Sequence, residues 1–147
     1  MHERIILPEP SLKGTVSVEE AIKRRRTIRS FSNRSLTASN ISQILWAAQG
    51  ITGDKMNFRS APSAGILYPL DVYAIVGQNA VYGVSAGTYH YIPEDHVLER
   101  LDEGDKRDEL PEAAFGQQWI QQAPVVLVIT IERNRLVQRY GEKALHY

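Results

Sequence analysis

The stretch that decides the fold is SAPSAGILYPLDVYAIV, residues 60–76. Its first half holds small residues and two prolines, which let a backbone approach a flat ligand closely while its amide groups donate hydrogen bonds. Its second half, Asp71 to Val76, is an apolar run of β-favouring residues that ends at Gly77, which predicts a buried strand. A surface loop leading into this strand is the alternative interpretation of the first half, although Tyr68 and the low charge are unusual for such a loop.

Two helices are predicted upstream of this stretch. Ser17 and the glutamate three positions later form a capping box, which predicts a helix over residues 17–25. Apolar residues at helical spacing predict a second helix over residues 36–49. Prolines and a glycine interrupt residues 1–15, so we expect an extended N-terminal arm there, followed by one domain of residues 16–147.

Strands and helices are both predicted downstream. In chain order, the predicted elements are a hairpin of residues 88–92 and 96–101, a mostly helical stretch over residues 102–123, a strand over residues 125–131, and a helix from Arg135 capped by Asn134. Pro111 and Gly116 are expected to break the helical stretch into pieces. No helix stop is expected before Tyr147, so the sequence is predicted to finish inside a helix. Either that helix ends raggedly or the chain is part of a longer protein.

Composition narrows the class of protein. The 147 residues include 17 Lys and Arg, 17 Asp and Glu, and no cysteine. This length suffices for one domain with a sizeable core. Balanced charge argues against a general binder of nucleic acid or anionic membrane, and the lack of cysteine excludes disulfides, thiolate metal ligands and cysteine nucleophiles. Because no apolar run reaches the length of a signal peptide or a membrane span, we expect a cytoplasmic protein with neither nucleic acid nor membrane as a partner.

A run of arginines, RRRTIRSF over residues 24–31, follows the first predicted helix. Guanidinium groups bind phosphate oxygens in pairs, and the hydroxyl of Thr27 adds a neutral donor. Arg25, Arg26 and Arg29 therefore predict a phosphate or flavin-edge site. Two alternatives stay open from composition alone. One is a solvated basic helix end, which is the commoner situation, and the other is a nucleic-acid patch, which lacks neighbouring lysines and an aromatic platform.

Two further patterns point to other enzyme classes. Residues 83–87, GVSAG, match the G-x-S-x-G elbow of serine hydrolases, but that motif needs a following helix and the next residues favour a strand. His90 and His96 are six residues apart across a turn, a spacing that fits no usual metal site. No glycine-rich nucleotide motif occurs. We therefore predict neither a serine hydrolase nor a metal site.

Two segments together resemble the nitroreductase superfamily of FMN-dependent enzymes. Residues 25–31, RRTIRSF, are similar to that family's N-terminal R-[RH]-[ST]-x-[RK]-x-[FY] flavin signature. Residues 62–70, PSAGILYPL, are similar to the P-S-A-G-x-L-Y-P-[LE] block of its SagB-type branch, which includes dehydrogenases of thiazoline and oxazoline peptides. The resemblance covers about residues 17–147. It implies an α+β, nitroreductase-like fold with a central, mostly antiparallel sheet flanked by helices, incomplete at its C-terminal end.

The resemblance also implies roles for particular residues. The group implied to hold the phosphate, ribityl chain and pyrimidine edge of FMN is Arg25, Arg26, Thr27 and Arg29. The group implied to approach the flavin from the other subunit of a homodimer is Pro62, Ser63, Ala64 and Gly65. Arg139 and Tyr140 match a basic residue–Tyr pair of azoline-oxidising relatives. Since an arginine stays protonated, Tyr140 is the better candidate for proton transfer.

The expected function is that of an FMN-dependent oxidoreductase that moves a hydride through flavin N5, to or from a small organic or modified-peptide substrate. NAD(P)H is one candidate electron donor. Family members continue well beyond residue 147, so the flavin site of a fragment would be incomplete. The alternative function is that of a truncated or flavin-free, non-catalytic member that serves as a binding or structural subunit.

Overall fold

Five strands form one sheet in the computed structural model, which describes residues 3–53 and 56–146. The strands are β1 (Arg4–Ile6), β2 (Leu70–Val76), β3 (Gly87–Ile92), β4 (Val97–Glu103) and β5 (Val125–Ile131). Their order is β1-β4-β3-β2-β5, and every neighbouring pair is antiparallel. With helices beside this sheet, the α+β prediction is confirmed.

Helices flank the sheet, and their starts follow the local sequence. The α-helices are α1 (Val18–Arg24), α2 (Ala38–Gln49), α3 (Leu110–Ala113) and α4 (Arg133–Tyr140), and 3₁₀ helices span Ala64–Ile66, Gln118–Gln122 and Gly141–His146. The Ser17 side chain accepts a hydrogen bond from the Glu20 amide, as the capping box predicts. Among the described residues, none of these helices is long and apolar enough to cross a membrane.

The core lies between α2 and the sheet. Ile41 and Leu45, one helical turn apart on α2, are fully buried. They belong to one apolar cluster with Val72 of β2 and with Tyr89 and Leu98 of the central hairpin. Ile41 and Leu45 of the predicted apolar face of α2 therefore pack on the sheet, whereas Ile44, predicted to lie on the same face, is exposed.

The extended lead-in is tied to the sheet at its start. β1 pairs with β4, so that Ile5 lies opposite Leu98. The buried Ser42 hydroxyl donates to the Pro8 carbonyl and also meets Nε2 of His96 at 2.8 Å. The division of the chain at residue 15 stays a prediction. The ends of the predicted arm and of the last predicted helix, at residues 1–2 and 147, lie outside the described residues.

The stretch over residues 102–123 is less helical than predicted, although its helical residues do fall into two pieces separated at Gly116. β4 continues to Glu103 because Asp102 and Glu103 pair with the start of β3. Helical structure after it is limited to two short pieces. Pro111 occupies the first turn of α3, and Gly116 has a φ of +76°, a left-handed conformation that ends a helix. Strand pairing therefore outweighs helix-favouring composition at Asp102 and Glu103. Pro111 begins α3 and does not interrupt a helix, whereas Gly116 lies between the two helical pieces, as predicted.

The prediction for the last helix needs corrections at both of its ends. α4 begins at Arg133 rather than Arg135, and its cap is the Glu132 side chain, which accepts a hydrogen bond from the Asn134 amide. Asn134 therefore lies inside the helix. α4 ends after Tyr140 because Gly141 adopts a φ of +57°, and a 3₁₀ helix follows.

Candidate functional site

The predicted phosphate-binding segment directly follows α1. The backbone amide of Arg25 caps that helix by donating to two of its carbonyls. Arg26 Nη1 donates to the carbonyls of Lys23 at 3.0 Å and of Arg25 at 2.7 Å. The guanidinium of Arg29 lies 5.5 Å from the centre of the Trp119 ring, close enough for a cation–π interaction. The four predicted residues are all exposed: Arg25, Arg26, Thr27 and Arg29.

This segment carries positive charge that the described chain does not neutralise. Arg24, one residue before it, forms an ion pair with Glu20 on the same helix. Within residues 3–53 and 56–146, no carboxylate forms an ion pair with Arg25, Arg26 or Arg29. Guanidinium groups in this state can receive an anionic ligand without first breaking an internal ion pair.

The second predicted segment is an irregular turn that enters β2. Ser63 has an extended backbone, and its hydroxyl accepts a hydrogen bond from the Tyr68 amide at 2.8 Å. Gly65, Ile66 and Tyr68 have φ values of +63°, +62° and +43°. A β-branched residue rarely adopts such a conformation. Three left-handed residues in four positions persist only when surrounding contacts hold them, so this turn is held in place from outside.

The register between β2 and β5 places α4 beside this turn. Leu70, the first residue of β2, lies opposite Ile131, the last residue of β5. The Glu132 amide then donates to the Pro69 carbonyl at 2.7 Å. Residues 62–69 precede β2 at the same end of the sheet at which α4 follows β5. The helix α4 therefore lies directly beside residues 62–69.

Two of the predicted site residues meet at this junction. A Cβ atom built on Gly65 would lie 2.8 Å from the Tyr140 hydroxyl oxygen. Nη1 of Arg139 donates to the Gly65 carbonyl at 3.3 Å, and its guanidinium lies 6.0 Å from the centre of the Tyr140 ring. Only a residue without a side chain fits at position 65 with Tyr140 where it is. The turn and the basic residue–Tyr pair therefore form one structural unit.

An ion pair that sequence reasoning missed fixes this unit. Arg135 forms a bidentate pair with Asp71, from Nη1 to Oδ1 at 3.0 Å and from Nη2 to Oδ2 at 3.1 Å. Its Nη1 also donates to the Tyr68 carbonyl at 2.9 Å. One side chain thereby joins α4, β2 and the turn. The available signal was that Arg135 lies one helical turn before Arg139, on the same face of α4.

A second arginine, also missed, holds the turn from its other side. The Arg59 amide donates to the Tyr68 hydroxyl at 3.1 Å, and its guanidinium lies 5.0 Å from the centre of the Tyr68 ring. The Arg59 side chain is only 10% exposed, and its Nη2 donates to Glu94 at 2.6 Å. Arg59 and Glu94 line a pocket of about 580 Å³, together with Asp71 and His90.

The two predicted segments are held by different parts of the fold. The arginine segment, residues 25–29, rests on α1 and on Trp119, whereas the turn rests on α4, β2 and Arg59. The exposed residues of the turn are Pro62, Ala64, Gly65 and Ile66. That the two segments meet through a second copy of the chain stays a prediction.

The serine-hydrolase pattern and the histidine pair have structural explanations. β3 begins at Gly87, so a strand follows the G-x-S-x-G pattern where an elbow needs a helix. A surface depression of about 860 Å³ lies beside this loop, away from the turn. His90 stacks on Tyr73, with ring centres 4.8 Å apart. His96 Nδ1 instead meets the hydroxyl of Tyr91 at 2.8 Å, inside the hairpin.

Comparisons with family models and with known proteins indicate the same family. The model of the nitroreductase family matches residues 22–147, which include both predicted segments. A Methanocaldococcus jannaschii protein, whose name places it among the nitroreductases, is 38% identical over 132 residues. That alignment covers 90% of this chain and 65% of the relative, so the chain spans somewhat less than two thirds of its length.

Solved structures share the fold. A Ralstonia eutropha structure, also named as a nitroreductase, superposes with a TM-score of 0.80 at 27% identity over 98% of this chain and 63% of its own. An Anabaena variabilis structure so named gives a TM-score of 0.78 at 20% identity over 99% of this chain and 30% of its own. The Escherichia coli microcin synthetase McbBCD, bound to truncated pro-MccB17, gives a TM-score of 0.62 at 20% identity over 97% of this chain and 56% of the synthetase chain. Since the family model matches most of the sequence and the fold agrees, the chain belongs to the nitroreductase family.

Proposed function

We propose that this protein is an FMN-dependent oxidoreductase that acts as a homodimer and moves a hydride through flavin N5, to or from a small organic or peptide substrate. The observation that carries the proposal is the exposed, unneutralised positive charge of the arginine segment. It lies within the part of the chain that matches the nitroreductase family, and it exposes guanidinium groups that no described carboxylate neutralises. Family membership supports an oxidoreductase, and this charge supports a phosphate-bearing cofactor.

The arginine segment fits the anionic end of FMN. Arg25 and Arg26 directly follow α1 and supply charge-assisted donors for the phosphate. The Thr27 hydroxyl is a neutral donor suited to the ribityl chain. Arg29 is the candidate for the pyrimidine edge, because its contact with Trp119 gives the guanidinium a defined position. Each role is a proposal that rests on the chemistry of the side chain.

The turn of residues 62–65 fits the flat face of the flavin. Pro62, Ala64 and Gly65 are exposed and small, so a planar ring can approach their backbone closely. In the proposal, this turn reaches the flavin held by the arginine segment of the partner subunit. The contacts of the turn with α4 keep its left-handed residues fixed before any ligand arrives.

FMN, when bound, accepts and donates a hydride at N5, and the protein supplies position, electrostatics and exclusion of water. Tyr140 is the proposed proton-transfer group, because its hydroxyl lies against the turn at Gly65. Arg139 stays protonated, so its proposed role is to hold the Gly65 carbonyl and to place positive charge beside the Tyr140 ring.

The substrate proposal rests on the turn motif. The PSAGILYPL block resembles the SagB-type branch, and the fold neighbour McbBCD was solved with truncated pro-MccB17 bound. These two points favour a modified-peptide substrate over a simple nitro compound. NAD(P)H as the electron donor and the cytoplasm as the location complete the proposal.

Absorbance of the purified full-length protein tests the cofactor directly. We expect yellow protein that releases FMN on denaturation. We expect the double variant R25Q/R26Q to bind FMN at least about tenfold more weakly, since hydrogen bonds to charged groups contribute about 1.5–3 kcal/mol each. R133Q is the matched control, because Arg133 is exposed on α4, outside the arginine segment. Colourless protein that also fails to take up added FMN would support the flavin-free, non-catalytic alternative instead.

A further inference from the structure

The pocket behind the turn holds a buried cation with an unused hydrogen-bond donor. Among the described residues, three buried side-chain polar atoms have no hydrogen-bond partner, and they are Gln49 Oε1, Arg59 Nε and His90 Nε2. Two of the three belong to residues that line this pocket. His90 Nε2 lies 3.7 Å from Asp71 Oδ1, whereas Arg59 Nε is a donor with no hydrogen-bond partner. A buried donor without an acceptor costs about 1–3 kcal/mol, so Arg59 Nε is the atom that calls for a ligand.

The geometry of Arg59 indicates what that ligand carries. Nε and Nη2 form one edge of the guanidinium, and that edge matches the two oxygens of a carboxylate. Glu94 meets this edge at Nη2 alone, at 2.6 Å. The Glu94 side chain is 50% exposed at the tip of the β3–β4 hairpin, whereas the Arg59 side chain is 10% exposed. Glu94 therefore accepts from only one of the two donors on this edge, and a second carboxylate can accept from both Nε and Nη2.

We propose that this pocket binds the carboxylate of a small organic acid or peptide, and that Glu94 occupies the same place when no ligand is bound. The pocket volume of about 580 Å³ is within the usual range for small-molecule sites. Asp71 is neutralised by its bidentate pair with Arg135, so among the described residues that line the pocket the positive charge available to a ligand is that of Arg59. A carboxylate is favoured over phosphate because Glu94 already places a carboxylate oxygen on this edge of the Arg59 guanidinium.

The position of the pocket connects it with the proposed reaction. Ile66 and Leu67 of the turn line it, so a bound acid lies next to the turn that approaches the flavin. This connection rests on the proposed function and specifies its substrate class as a molecule with a free carboxylate. Binding of the acid itself does not depend on flavin.

The test is a titration of the flavin-free full-length protein with succinate at constant ionic strength, followed by NMR of the arginine Nε–Hε groups. The Nε–Hε signal of Arg59 is assigned as the one that is missing from the spectrum of R59K. We expect its chemical shift to change with succinate concentration until it saturates. Because E94Q removes the charge of the internal competitor, we expect it to bind succinate at least about tenfold more tightly, or about 1.4 kcal/mol. R59K has no Arg59 signal, so its succinate binding is measured by calorimetry. We expect R59K to lose this binding, because lysine keeps the charge but lacks the paired Nε and Nη2 donors.

D95N is the matched control, since it removes one carboxylate from the same hairpin tip. Asp95 pairs with Arg4, which keeps Glu99 as a second partner. An equal gain in E94Q and D95N would overturn the proposal, because it would reflect net charge alone. An unshifted Arg59 signal, or tighter binding of phosphate than of succinate, would overturn it as well. FMN uptake is measured separately, so FMN binding without succinate binding refutes only this inference, and the reverse result refutes only the proposed function.

Discussion

Replacing Gly65 with alanine is the sharpest test of the junction between the turn and α4. Gly65 has a φ of +63°, and an alanine Cβ there would lie 2.8 Å from the Tyr140 hydroxyl and 3.1 Å from Cζ of Arg139. The left-handed conformation costs an L-residue about 1–2 kcal/mol. Reduced freedom of the unfolded chain offsets about 0.4–1 kcal/mol of that cost. The net loss from backbone conformation is therefore about 1 kcal/mol.

Gly83 provides a matched control for that backbone term. Its φ is +76°, and a Cβ atom built on it meets nothing within 4 Å. G83A should therefore lose about 1 kcal/mol of unfolding free energy, which for a chain of this size lowers the melting temperature by about 2–4 °C. G65A should lose at least as much, because Tyr140 and Arg139 must also move. Urea unfolding and calorimetry measure both variants.

The role of the junction in cofactor binding is tested by comparing the FMN dissociation constants of G65A and G83A. If the turn supports the flavin, G65A should raise the FMN dissociation constant at least about tenfold, or about 1.4 kcal/mol, and G83A should leave it unchanged. Fluorescence titration of FMN measures this constant. Equal FMN affinity in G65A and wild type would refute the reasoning, because the displaced Tyr140 and Arg139 would then have no bearing on the cofactor.

Two further predictions concern ionisable groups outside the site. Hydrogen bonds from Arg107 hold the pKa of Asp105 well below its usual range, so this carboxylate stabilises the fold above its unfolded pKa and loses that contribution as the pH falls through the folded value. D105N should lose about 1–3 kcal/mol at pH 7 and show a flatter acid limb in urea unfolding between pH 2 and 7. Burial raises the pKa of Tyr91 to about 12, so its contribution is complete below the unfolded value near 10 and is lost as the pH rises through the folded value. Y91F, which removes the hydrogen bond to His96, should be less stable by about 1 kcal/mol at pH 7 and should have a flatter alkaline limb in the same assay.

Elements with strong local signals were predictable from sequence. Ser17 caps α1 through the Glu20 amide as expected, and Ile41 and Leu45 face the core as their spacing predicts. The apolar run of β5 is a strand over the predicted residues 125–131. The helical prediction for residues 102–123 failed at its start because pairing with β3, a partner distant in sequence, decides the structure of Asp102 and Glu103.

The candidate site also has parts that the sequence predicts and parts that it does not. Its two segments stand out in the sequence because each is compositionally unusual over fewer than ten residues. The contacts that hold the turn join residues far apart, as in the pair of Arg135 and Asp71, 64 positions from each other, and no local pattern marks such a pair. Arg59 and Glu94, 35 positions apart, meet only because the β3–β4 hairpin folds its tip over the start of the turn.

A mixing experiment decides whether the two segments serve one flavin site across two subunits. If they do, R25Q/R26Q subunits still contribute an intact turn, and G65A subunits still contribute intact arginines. Random reassociation of equal amounts should then give half heterodimers, each with one intact and one doubly impaired site, so that about a quarter of the flavin sites are restored. If both segments of one chain served the same flavin, every site in the mixture would stay impaired. Recovery of FMN binding after co-refolding, with each variant refolded alone as the control, separates these outcomes. Since the arginine segment rests on α1 and Trp119 while the turn rests on α4, either substitution should leave the other segment in place, which is the condition that makes this experiment interpretable.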